Sequence, residues 1–247
     1  MSSDVEIIKK NPIKKGQPRV LTGFAGAGFV GNTALMYIIR QKEFELKAEI
    51  RSKYIPPSIL LLEGVPTYPF RIYGDKNGEI LLIVSEALVP PENTYPVGKA
   101  IMEWLQKNHA KDFVFIEAMP INTGQDGNIL YGFSIPDRNL YSFGVKPLRE
   151  GGVSGMNAIM LDTCIRKEIP ATTLIAPTTM VSGIDYSAAA STIDVLSKMY
   201  KLGVDLSPLR KGIEMQKEMQ ARASGQQGQP QPGGKKKSFF DSFRKKD

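Results

Sequence analysis

Gly26, Gly28 and Gly31 spell G-x-G-x-x-G directly after an apolar, β-branched run, Arg19 to Thr22. Three glycines at that spacing let a chain turn sharply out of a strand and bring a helix N-terminus close to a sheet edge. With Asn32 they form a candidate anion-binding loop, the arrangement that places a pyrophosphate on a helix N-terminus. A dinucleotide site of this type also needs an acid about 20 residues on for the ribose. Glu49 has that spacing, but Ile50-Arg51 follow it, which places it inside a strand rather than at a strand's end. The other reading of the loop is close packing of the first helix on the sheet.

Four carboxylates, Glu63, Glu86, Glu117 and Asp185, fall at the ends of apolar runs or at a helix start, where α/β folds put ligand residues. A pair of them could share acid and base roles. Each could equally cap a turn. No G-x-S-x-G elbow is present, and Ser154 in G-V-S-G reads as a helix N-cap. His109 is the single histidine, at the polar end of a helix between Lys107 and Lys111, which speaks against a Ser–His–Asp triad. Cys164 is the single cysteine, beside Leu161 and Ile165 in a helical pattern, where it packs as a small hydrophobe. One Cys and one His leave no disulfide framework and no multi-Cys or His-rich metal site. No catalytic residue, metal or cofactor is expected.

The net charge of the 247 residues is +7. Residues 221–247 carry seven Lys/Arg and two Asp, so +5 belongs to this end and +2 to the rest. A basic nucleic-acid surface on the body is therefore not expected. GQQGQPQPGG from Gly225 reads as a flexible linker. Beyond it, Phe239, Phe240 and Phe243 stand at i, i+1 and i+4 between basic residues, Lys236 and Arg244 among them. On a helix the rings would share a face, fit for a groove on an acidic partner or for weak contact with an anionic membrane; the other reading is a disordered, solubilising end.

The elements that must position these residues alternate along the chain. Strands are expected at Val5–Lys9, Arg19–Ala25, Phe44–Ile50, Ile59–Glu63, Phe70–Tyr73, Glu79–Ser85, Asp112–Ala118, Ile129–Phe133 and Ala171–Pro177. Gly74 to Gly78 joins two of them into an antiparallel hairpin. Helices are expected at Asn32–Gln41, at Pro96–Asn108 with Thr94 as cap, at Val153–Lys167, at Tyr186–Tyr200 capped by Asp185, and from Ser207 to about Ala223. This order predicts an α/β fold: a mixed, mostly parallel sheet with helices on both faces. One domain is expected over 1–220, with the linker and tail at 224–247. Leu209 and Ile213, with Leu206, Met215 and Met219 nearby, give the last helix an apolar stripe suited to self-association. MSSDVEIIKK lacks the apolar core of a signal peptide, and no apolar run reaches the roughly 18 residues of a membrane span. A cytoplasmic protein is expected.

Several blocks together resemble the PAC2 family of proteasome assembly chaperones, its archaeal members above all. They are GFAGAGFVGNTAL (Gly23–Leu35), SEALVPP (Ser85–Pro91), GGVSGMN (Gly151–Asn157), DYSAAA (Asp185–Ala190) and VDLSPL (Val204–Leu209). The resemblance spans about residues 5–220. It implies a phosphorylase-like three-layer fold and an ATP-independent chaperone that binds proteasome α subunits, often as a homo- or hetero-oligomer, with no known catalysis. Several members dock through a C-terminal hydrophobic–Tyr–any-residue ending. This sequence ends Arg244-Lys245-Lys246-Asp247, so Phe239, Phe240 and Phe243 would be a substitute anchor. The alternative from the residues alone is a small-molecule or nucleotide-binding enzyme using the glycine loop.

Overall fold

The computed structural model describes residues 4–62, 64–122 and 129–226. The chain divides into two compact units, residues 1–210 and 211–247. Elements follow in the order β1 (Val5–Lys9), β2 (Arg19–Gly23), α1 (Val30–Gln41), β3 (Glu45–Ser52), β4 (Leu60–Leu62), β5 (Val65–Thr67), β6 (Phe70–Gly74), β7 (Ile80–Ser85), α2 (Thr94–Lys107) and β8 (Asp112–Pro120). Then come β9 (Tyr131–Ile135), β10 (Lys146–Pro147), α3 (Gly155–Arg166), β11 (Ala171–Thr178), α4 (Tyr186–Tyr200) and α5 (Ser207–Gln226). In the second unit the described part is the continuation of α5.

Among the described residues nine strands make one sheet, in the order β1-β3-β6-β7-β2-β8-β11-β9-β10. The centre, β7-β2-β8-β11, is parallel. On one side β6, β3 and β1 continue antiparallel, and on the other β9 runs antiparallel to β11. The sheet is mixed, as the expected hairpin requires. Asp75 sets that hairpin: its Oδ1 accepts the N–H groups of Glu79 and Ile80, each at 2.9 Å, and Gly78 turns with φ +77°.

The central strands are buried on both faces because helices cover both, which is why they read as unbroken apolar runs. Leu21, Leu82, Val114 and Leu174 pack with α1 and α4 on one face. Val20, Leu81, Ile83, Phe113 and Phe115 pack with α2 and α3 on the other. The period-2 geometry of a strand sends neighbours to opposite layers, and the two cores follow from it.

Two local differences from the sequence reading have plain causes. Thr94 is the first residue of α2 rather than its cap, because Pro90-Pro91 start a short 3-10 turn that leads into the helix, and Thr94 Oγ1 donates to the Pro91 carbonyl at 2.8 Å. A second, two-stranded sheet, β4 with β5, stands apart from the large one and exposes Leu61 and Val65. Residues 65–67, with a proline at their centre, carried no strand signal.

A candidate ligand cavity at the glycine loop

The chain leaves β2 at Gly23, and α1 crosses over that point backbone to backbone. A Cβ on Gly23 would lie 2.4 Å from the Gly31 carbonyl oxygen. A Cβ on Gly31 would lie 3.1 Å from the Gly23 Cα and 3.3 Å from Ile116 Cγ2. Gly28 is left-handed at φ +59°, and a Cβ there would sit 2.7 Å from Thr178 Oγ1. Three glycines are thus required by close approach. Gly26 differs: its backbone is extended at φ −170° and the space around it is open.

Asp185 ties the loop to the rest of the fold. Its N–H donates to the Gly28 carbonyl at 2.9 Å. Its Oδ1 accepts the Ala188 N–H at 2.9 Å, capping α4, and its Oδ2 accepts the Thr178 hydroxyl at 2.7 Å. Asn32 is similarly occupied, since its Nδ2 donates to the Ser85 carbonyl at 2.9 Å at the end of β7. The Asn32 amide therefore holds two elements together.

Gly26 and Gly31 line a cavity of about 290 Å³ beyond the carboxyl ends of β2, β7 and β8. That edge is where open α/β sheets bind ligands. The starts of three helices border it: Val30 of α1, Thr94 of α2, and Gly155, Met156 and Asn157 of α3. None of the three has a side-chain cap bond at its N-cap residue. Phe24, Phe70, Leu88 and Val89 give the apolar part of the wall. Gly28 and Asn32 are not part of that wall.

Glu117, near the end of β8, supplies the cavity's carboxylate. Asn157 Nδ2 donates to Glu117 Oε1 at 2.8 Å and to the Ile116 carbonyl at 3.1 Å. Asn157 is held in turn by the Thr22 hydroxyl, which donates to its Oδ1 at 2.7 Å. Burial pushes the Glu117 carboxyl above its ordinary value, and the hydrogen bond from Asn157 opposes this in part.

The other candidate residues take separate places. Glu86 pairs with Arg71, whose side chain is completely buried and whose Nη1 also donates to the Tyr68 carbonyl at 2.9 Å. Glu49 lies inside β3, 4% exposed, bound to Lys10 Nζ at 2.7 Å and to the Thr67 hydroxyl at 2.8 Å. Glu86, Glu117 and Asp185 therefore have three different partners and form no acid–base pair. Ser154 stands at the N-cap of α3 on the cavity wall. His109 follows α2 in a left-handed conformation, φ +59°, exposed to solvent. Cys164 is fully buried, and burial, aided by the charge of Asp112, pushes its thiol up to about 12. Leu209 is 6% exposed and packs into the protein's own core, and Ile213 is half-buried. Glu63, Lys236, Phe239, Phe240, Phe243 and Arg244 lie outside the described residues.

Arg71 went unread in the sequence, although an arginine in the apolar strand FRIYG was its signal. The exposed apolar residues Ile59, Leu61 and Val65 were hidden because a strand pattern does not tell which face is covered. Among the described residues no helix is long and apolar enough to cross a membrane.

Comparison with known proteins places this architecture. PbaA of Pyrococcus furiosus, described as an archaeal homolog of proteasome-assembly chaperone, superposes with a TM-score of 0.80 at 29% identity, covering 90% of this chain and 92% of that one. PbaB of the same organism, described as an archaeal proteasome activator, reaches 0.79 over 90% of this chain and 99% of its own, and at 15% identity shows the fold alone. An uncharacterized protein of Methanocaldococcus jannaschii is 25% identical over 218 residues, 87% of this chain and 88% of its own. The model of the PAC2 family matches residues 20–223. That span contains the glycine loop, the cavity and all four helices that cover the sheet, and the chain belongs to the PAC2 family.

Proposed function

We propose that the protein is a proteasome assembly chaperone that binds proteasome α subunits and assists assembly of the 20S core particle without ATP. The observation that carries this is the likeness to PbaA, 29% identical over 90% of the chain, a protein described as a homolog of proteasome-assembly chaperone. The surface supports a binding role. Ile59, Leu61 and Val65 are 59%, 71% and 63% exposed within one short segment, which offers a partner an apolar contact.

Residues 1–220 act as the binding body and 224–247 as a tethered tail, in which Phe239, Phe240 and Phe243 anchor the partner while Lys236 and Arg244 flank them. The body self-associates. Leu209 is taken up by the core, so Ile213 and the exposed β4–β5 hairpin are the better contacts for this. The site of action is the cytoplasm.

A pull-down from native extract, read by mass spectrometry, tests the reading. The full chain is compared with one truncated after Ser224. Proteasome α subunits captured by the full chain and lost on truncation are the expected result. Capture by both versions would move the anchor to the body. Capture by neither would remove the chaperone reading.

A further inference from the structure

The cavity at the glycine loop has a chemistry of its own. Glu117 lines it without an ion-pair partner among the described residues, in a setting where burial disfavours its charge. A carboxylate so placed is best satisfied by a cation or a strong donor brought into the cavity. The Thr22–Asn157–Glu117 chain fixes it, so Glu117 is a prepared acceptor and not a freely moving surface acid.

Its neighbour is of the opposite kind. Asn157, which touches Glu117 at 2.8 Å, is the third residue of α3, and the cavity wall includes Gly155 and Met156 just before it. The first N–H groups of a helix have no partner within the helix and accept negative charge well. An acceptor of positive charge and a donor to negative charge thus stand side by side. Phe24, backed by the fully buried Phe70 with ring centroids 6.0 Å apart, faces the same space with Val89 and Met156.

We infer that this cavity binds a small zwitterion with an apolar side chain, an α-amino acid of the leucine, methionine or phenylalanine type. The ammonium meets Glu117, the carboxylate meets the first turn of α3, and the side chain lies against Phe24, Val89 and Met156. The volume of about 290 Å³ admits a molecule of this size. The site is independent of the chaperone reading, and either can fail alone.

The test uses the full chain with L-leucine, L-methionine and L-phenylalanine, each up to about 10 mM, the range that reaches weak millimolar sites. Binding is read as a saturable rise in melting temperature and by ligand-observed NMR. N-acetyl-leucine lacks the ammonium and leucinamide lacks the carboxylate. Each is expected to bind at least about tenfold more weakly than leucine, the loss of one charge-assisted contact. Glu117→Gln keeps an oxygen for Asn157 and is expected to lose about the same factor. The ligand series decides the matter even if this variant folds poorly. Absence of saturable binding by all three amino acids overturns the proposal. So does equal binding of N-acetyl-leucine or of leucinamide.

Discussion

Replacing Gly23 by alanine should be far more damaging than replacing Gly26, although both belong to the same glycine-rich block. The new Cβ at Gly23 would meet the Gly31 carbonyl oxygen at 2.4 Å and its carbon at 2.6 Å. Real Cβ contacts stay beyond 3.0 Å, so β2 and α1 must part by at least roughly half an ångström. Neither side can yield by a rotamer change, because both are backbone. Overpacking usually costs about 1–3 kcal/mol, and a clash between two backbones belongs at about 3 kcal/mol or above. At about 2–4 °C per kcal/mol for a chain of this size, the melting temperature should fall by about 6–12 °C. At Gly26 nothing lies within 4 Å and the backbone is extended, so alanine should change stability by less than about 1 kcal/mol. Thermal melts and urea titrations followed by circular dichroism measure both. Equal losses, or no loss at Gly23, would refute the assignment of this glycine to close packing.

Three further outcomes follow from contacts described above. Arg71→Met leaves Glu86, 22% exposed at its side chain, without its partner and should cost about 3 kcal/mol, the lower end for a broken buried pair; the added change Glu86→Leu should recover much of it in urea titrations. Asp185→Ala removes the cap of α4 and the bond from Thr178, and should lower stability by about 1–2 kcal/mol in the same titrations, with the fold retained in the far-ultraviolet spectrum. Glu117 has a folded-state value above its ordinary 4.5, so its contribution to stability is full below that value and is lost as pH rises through the folded-state value. Glu117→Gln should therefore melt higher than the parent protein at pH 7, with the gap closing near pH 4; a gap that widens at low pH would contradict the burial argument.

The sequence made the alternation of strands and helices readable where periodicity was strong. The β6–β7 hairpin and the cap at Asp185 followed from turn chemistry that acts over a few residues. The order of strands was not readable, since it depends on contacts such as Arg19 with Ile80 and Asp112, far apart in the chain. For the glycine loop the sequence left two readings open. In the backbone Gly23, Gly28 and Gly31 make close approaches, and Gly26 and Gly31 border the cavity. Among the carboxylates, position at a strand end was a shared signal, and the differing fates of Glu86, Glu117 and Asp185 came from side chains on other elements: Arg71, Asn157 and Thr178. Leu209 had the spacing of an apolar stripe that must be covered, and it packs with the core; a helix pattern says that a face is covered without saying by what.

The most direct test of the central claim is an assembly reaction with purified cognate α and β subunits, followed by native gel and mass photometry, with and without this protein and without nucleotide. The expected result is a complex of the protein with α subunits that forms first, faster appearance of 20S particles, and release of the protein from the finished particle. Assembly at an unchanged rate, with no complex with α subunits at any stage, would contradict it.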